Sequence, residues 1–274
     1  LEEDLPSADG QPPAFSLKPP DRAALMDLLP TPWHWLAAVA CGLIVGAAKT
    51  GIPGLGFLAV PWFAWIFHDQ VKLSAGALLP LLIAADMMAV WLYRANIAVN
   101  LLWHMLPWVV IGMGAGAVAL HCADNAMLRP VIGGFIVGMI ALHLWRKSRK
   151  SAEPPGRQAS IGYGMTAGLT TTVANAAGPV MNLYLLGQRL PKEAFIAAGA
   201  WFFFAVNLTK VPIYALNGMI TRETLMIDAC LVPAVVVGSL LGRRIVKHIP
   251  QVTFEAVVLA LALLGGAMLL IPAR

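Results

Sequence analysis

The feature that most constrains this chain is a succession of long apolar runs almost empty of charge. A helix needs about 20 mainly apolar residues to cross the hydrocarbon of a bilayer, and within that layer each backbone polar group must be satisfied by the protein itself. Runs of suitable length are Asp27 to Lys49, Thr50 to Phe67, Leu73 to Tyr93 with Asp86 inside it, Leu101 to Leu120 and Val131 to Trp145. A basic, proline-containing stretch, Arg146 to Gln158, follows. Beyond it, Ala159 to Gly187 is too long for one straight span and contains the breaker run Ala174-Asn175-Ala176-Ala177-Gly178-Pro179, so it divides in two. Phe195 to Leu216, Leu225 to Leu241 and Val252 to Ile271 complete ten segments, five on each side of the basic stretch. The expectation is an all-α polytopic membrane protein: a flexible tail over 1–32, a membrane repeat over 33–145, a linker over 146–158 and a second repeat over 159–274.

Composition agrees. Only 12% of residues are charged and the mean hydropathy is +0.74, about half the charge of an ordinary soluble domain, which excludes a surface facing water on all sides. Six of the 14 acids lie in the first 30 residues, leaving residues 31–274 with eight acids against 17 bases, a net +9. A nucleic-acid binder would gather such bases on one wet face, whereas here they punctuate apolar runs and report membrane topology. With the linker in the cytoplasm, the inner ends collect Arg94, Arg146, Lys147, Arg149, Lys150, Arg157, Arg189, Lys192, Arg243, Arg244 and Lys247. The outer ends collect Lys72, Arg129, Arg222 and Arg274, with Lys18 and Arg22 in the tail, so both termini are expected outside. Trp33, Trp35, Trp65, Trp91, Tyr93 and Trp145 sit where interfacial anchors belong. The tail holds seven prolines, lacks the basic start and apolar centre of a signal peptide, and begins at Leu1, as a processed or trimmed chain would. Cys41, Cys122 and Cys230 are too scattered for a metal or disulfide motif and read as small packing residues.

The two sides share spacings in the same order. Gly42-x3-Gly46 corresponds to Gly164-x3-Gly168, Ala75-Gly76 to Ala198-Gly199, and Pro107-x4-Gly112-x3-Gly116 to Pro233-x4-Gly238-x3-Gly242, with offsets of 122 to 126 residues. Small residues at such spacings also serve ordinary helix packing, but their common order favours a repeat. An odd number of segments per half makes the halves run in opposite directions.

Chemistry concentrates at the breaks. Gly46-Ala-Ala-Lys49-Thr50-Gly51-Ile52-Pro53-Gly54-Leu55-Gly56 sets a cation beside helix breakers, and its counterpart in the second half offers Thr170, Thr171, Thr172 and Asn175. Pro53 and Pro179 each suit the first turn of a new helix, so two positive helix N-termini are expected to face each other, an arrangement that selects an anion. The dull alternatives are a Lys49 that snorkels to the headgroups and threonines that bond only to the preceding turn. Asp86 and Lys210 are ionisable groups inside apolar spans, where a charge costs about 2.5–3.5 kcal/mol on insertion scales. An offset of 123 puts Asp86 opposite Thr209, one residue from Lys210, so the two are candidates for a structural or coupling ion pair. Asn207, one turn before Lys210, shares its helix face and offers an amide to a substrate oxygen. Lys49, Thr50, Gly51, Thr171, Thr172, Asn175, Asn207 and Lys210 form the candidate binding set. His104 and His143 read as packing residues, and no metal spacing, cofactor motif, nucleotide loop, serine nucleophile elbow or catalytic carboxylate pair is present.

In the stretch Gly42 to Pro61, in Thr166 to Tyr184, in Ala198-Gly199 to Pro212 and in Gly238-Ser239-Leu240-Leu241-Gly242, the chain resembles the sulfite exporter TauE/SafE (TSUP) family, over essentially residues 36 to 271. That resemblance implies a bacterial inner-membrane transporter for small sulfur-containing anions such as sulfite, sulfoacetate or isethionate. Lys49-Thr50 departs from a stretch that in the family is mostly Gly and small apolar residues. The expected activity is secondary transport by alternating access, one half rocking against the other, with a proton or Na⁺ as the candidate coupling ion. The competing reading is a membrane-embedded accessory protein without transport.

Overall fold

The computed structural model describes residues 31–67, 71–96, 102–122, 125–148, 156–174 and 176–270, and no strand occurs among them. Most of the tail, most of the linker and Asn175 lie outside the described residues.

Helices of eight residues or more are α1 (Pro32–Thr50), α2 (Ala59–Ile66), α3 (Val71–Leu92), α4 (Leu106–Cys122), α5 (Asn125–Ser148), α6 (Arg157–Ala174), α7 (Ala177–Gly187), α8 (Lys192–Leu216), α9 (Arg222–His248) and α10 (Gln251–Leu270). Five of them are long and apolar enough to cross a membrane: α1, Leu73–Leu92 of α3, α8, α9 and Gln251–Met268 of α10. Shorter apolar stretches occupy Leu106–Ala119 of α4 and Ile132–Trp145 of α5. The second and seventh expected segments are short: the second is a 3-10 turn followed by a brief helix, and the seventh is a single short helix. α2 has 8 residues, α7 has 11, and both fall short of a spanning length as helices.

Pro32 starts α1 at a position where its missing N–H costs nothing. Pro53 ends it, because the residue before a proline is pushed out of the helical region. Gly54 then takes φ 113°, a 3-10 turn covers Leu55–Leu58, and α2 begins only at Ala59. Pro53 therefore precedes the new helix instead of opening its first turn, which corrects the expectation for the first break. Pro179 does lie in the first turn of α7.

Side-chain and glycine contacts fix the helix directions. His34 stacks on Trp65 with ring centroids 5.8 Å apart, so the chain from Gly51 to Ile66 returns along α1 to its start. Tyr163 and Tyr184 lie 5.3 Å apart and Ser160 Oγ is 2.8 Å from Tyr184 Oη, so α7 returns along α6 in the same way. α1 and α9 run side by side in one direction: Gly42 meets Ala234, Gly46 meets Val235 and Ser239, Gly51 meets Gly242. α6 and α4 repeat this crossing: Gly164 meets Met105 and Trp108, Gly168 meets Val109 and Met113, Gly116 meets Thr172. A methyl group on Gly46 would overlap the Val235 carbonyl, and one on Gly168 would overlap the Val109 carbonyl. Glycine is required there because backbones touch. α3 and α8 run antiparallel, with Ala75 and Tyr214 lining one end of their seam and Asp86 meeting Asn207 further along.

Two apolar cores result. One gathers Ala38, Cys41, Phe63, Ile66, Leu81 and Leu231 around α1, and the other gathers Ile136, Met181, Tyr184, Phe195, Phe202 and Phe254 around α7. Cys230 is exposed on the apolar flank of α9, in contrast to the packing role expected of it, whereas Cys41 is buried as expected. Tyr93, expected at the interface, is also buried.

Candidate functional site

The polar residues of the interior meet where α1, α3, α6 and α8 converge. α1 stops at Thr50, one residue after Lys49, so the lysine occupies the last turn, where a cation complements the helix dipole. The end is well satisfied. Tyr93 Oη donates to the Thr50 carbonyl at 2.6 Å, and the Gly51 N–H donates to the Ala47 carbonyl at 2.8 Å. With its backbone fixed, Lys49 reaches sideways: its Nζ lies 2.8 Å from Asp86 Oδ1 and 4.2 Å from the centroid of the Phe203 ring. The Asp86 side chain is 0% exposed and that of Lys49 14%. Asn207 Nδ2 donates to Asp86 Oδ2 at 2.8 Å, so the carboxylate is held from both sides. This matters because a buried ion that lacks partners costs several kcal/mol.

Lys210 lies on the same face of α8 as Asn207 and is 6% exposed. Its Nζ donates to Thr171 Oγ1 at 2.8 Å. The repeat offset points from Asp86 to Lys210, and Asp86 forms an ion pair with Lys49. A cavity of about 10 Å³, lined by Ala75, Leu78, Leu79, Leu82, Asn207, Lys210 and Tyr214, adjoins the cluster. It has room for roughly one water. A roomier hollow of about 540 Å³ between α1 and α2 is lined by Trp33, Leu36, Ala37, Ala40, Trp62 and Trp65. It offers no charged partner to an anion.

Lys49, Asp86, Asn207, Lys210 and Thr171 are therefore brought together. Thr50, Gly51 and Thr172 are placed elsewhere, in the helix crossings. Thr50 Oγ1 donates to the carbonyls of Gly46 and Ser239 at 3.0 and 2.7 Å, and Thr172 Oγ1 to those of Gly168 and Met113 at 3.0 and 3.4 Å. A Cβ on Gly51 would stand 2.6 Å from the Gly242 carbonyl oxygen. Thr170 bonds its own preceding turn.

Sequence reasoning missed Phe203 and Asp228, and it missed the bond from Tyr93 to the end of α1. Phe203 and Tyr93 carry no charge and look like ordinary membrane aromatics. Asp228 carries the same signal as Asp86, an acid within the apolar run Leu225 to Leu241. It is buried in α9, and neither carboxylate oxygen has a hydrogen-bond partner among the described residues. No group of three or more His, Cys, Asp or Glu side chains gathers among the described residues.

Long apolar helices around a buried cluster of charge define a multi-pass membrane protein with a polar interior site, the architecture of a transporter. The chain belongs to the sulfite exporter TauE/SafE family, whose model matches residues 38–269. No curated protein and no solved structure matches it significantly.

Proposed function

We propose that the protein is a secondary transporter that moves a small sulfur-containing anion, sulfite or an organosulfonate such as sulfoacetate or isethionate, across the bacterial inner membrane by alternating access. The observation that carries this reading is the cluster itself: two ammonium groups and one carboxylate, with hydroxyl and amide donors, buried where helices of both sequence halves converge. Lys49 and Lys210 supply charge to the anion, and Thr171 and Asn207 supply donors that replace its hydration shell. Asn175, beside the break before α7, belongs to the same proposed set.

The ten membrane segments form an inverted five-plus-five repeat. Support comes from the helix directions: α1 runs with α9, α4 runs with α6, and α3 opposes α8. Arg94, Lys192, Arg243, Arg244 and Lys247 lie toward one end, where Lys192 Nζ donates to the carbonyls of Val246 and Ile249 and Arg243 lies over the Tyr93 ring. That end faces the cytoplasm by the positive-inside rule. A cavity of about 10 Å³ cannot admit a sulfonate, so binding requires α3 and α8 to part. Because each half lends a helix to the crossing of the other, the bodies that rock against each other are mixed in sequence.

The test is binding of sulfite, isethionate and sulfoacetate to the detergent-purified chain, followed by flux in proteoliposomes. Lys49→Ala should abolish saturable binding while the protein still elutes as a folded species. Unchanged affinity removes Lys49 from the site, and the absence of saturable flux with any of these anions replaces the transporter with an accessory membrane protein.

A further inference from the structure

The Asp86 carboxylate already occupies the place an anion would take. It is the partner of Lys49 at 2.8 Å, and Asn207 orients it through the other oxygen. A second negative charge beside Lys49 would have to displace it or share the ammonium with it. In a buried site of low dielectric, sharing is expensive.

Charge counting suggests how the exchange is made. Lys49, Lys210 and ionised Asp86 sum to +1. If Asp86 takes up one proton and the site takes up one monovalent anion, the sum is again +1, and the buried charge never changes. Binding of the anion alone would change the sum to zero and would crowd two anionic groups, the Asp86 carboxylate and the anion, around the Lys49 ammonium. We infer that Asp86 is the proton-binding group of the transport cycle, so that the anion binds together with one proton and the two are carried in the same direction. This inference rests on the anion-site reading given above.

The step is a simple protonation. Oδ2 keeps the Asn207 N–H, so the proton goes to Oδ1, the oxygen that faces Lys49. The Lys49–Asp86 ion pair is lost, Lys49 stays protonated, and its ammonium pairs with the incoming anion. Phe203 remains against the ammonium face at 4.2 Å. On release, the carboxyl returns its proton and closes on Lys49 again.

The surroundings of Asp86 contain the groups that could share this titration. α1 presents Lys49, and α8 presents Lys210 with the Asn207 amide. α2 carries no ionisable side chain. On α9, Arg243 sits over Tyr93 at the end of α3, and the Asp228 carboxylate lies nearer the start of the helix, engaged in no ion pair among the described residues.

Methanesulfonate is a suitable probe because it stays ionised throughout the accessible pH range, whereas sulfite titrates. Wild-type protein in weak buffer with a pH-sensitive dye should take up one proton per methanesulfonate bound. Its affinity should fall about tenfold per pH unit once Asp86 is ionised in the empty site. Asp86→Asn, which fixes the proton-loaded charge, should bind as tightly at pH 8 as at pH 6 and take up no proton. Wild-type binding without proton uptake overturns the inference, and so does an Asp86→Asn variant that retains the wild-type pH dependence. If Asp86→Asn fails to fold, the wild-type proton count decides alone. Lys49→Gln separates the two levels: normal binding by that variant overturns the site itself, whereas lost binding together with zero proton uptake by wild type overturns only the coupling. Absence of saturable wild-type binding overturns both.

Discussion

Removing one member of the Lys49–Asp86 pair leaves its partner charged in the interior, at a cost of roughly 3–5 kcal/mol for a pair this buried, whereas replacing both with apolar groups of similar size is far cheaper. Asp86→Leu should therefore lower the melting temperature in detergent markedly, and Lys49→Met/Asp86→Leu should recover most of the loss while, on the proposed reading, losing anion binding. Intrinsic tryptophan fluorescence during heating reads both. A double variant no more stable than Asp86→Leu would mean that the charges do not compensate each other. The sequence exposed these two residues because a charge is conspicuous among aliphatic side chains. It did not expose their pairing. The repeat offset pointed from Asp86 to Lys210, but Lys49 ends α1 at the level of Asp86 and reaches it across the helix interface, and an alignment of halves carries no information about that reach.

At the scale of elements, the glycine spacings were legible and their meaning only half so. The shared order of small residues is what supports the proposed repeat. Which helix each glycine touches follows from tertiary packing: Gly46 serves a contact with α9, and Gly168 one with α4. Both crossings should respond alike to an added methyl. Gly46→Ala and Gly168→Ala should each destabilise the protein by about 1–3 kcal/mol, the usual range for overpacking. Gly114→Ala, at a position where a Cβ meets no heavy atom within 4 Å, should be neutral or add up to about 1 kcal/mol through helix propensity. Melting temperatures of the three variants check this, and a tolerant Gly46 would show that the α1–α9 contact is looser than its geometry. The breaks before the short second and seventh helices were visible as Gly/Pro clusters. The delayed start of α2 was not, because the 3-10 turn depends on Gly54 holding a left-handed backbone.

At the scale of the whole molecule, the basic ends support the proposed orientation, which labelling can read. In a background lacking Cys41, Cys122 and Cys230, Leu216→Cys at the 85% exposed end of α8 should react with a membrane-impermeant maleimide applied to intact cells. Lys247→Cys, near the opposite end of the bundle, should react only after permeabilisation. The reverse pattern would invert the topology proposed here. The shared crossings also bear on how the chain is made. α1 leaves the ribosome early, but its packing partner α9 begins only at Arg222, so at about 5–20 residues per second α1 waits on the order of ten seconds for it. Throughout that interval the backbone at Gly42 and Gly46 faces lipid or a helper protein. Biogenesis is thus a race between completing translation and shielding an unfinished interface, and any stop codon before α9 releases a product with an open seam for quality control to find.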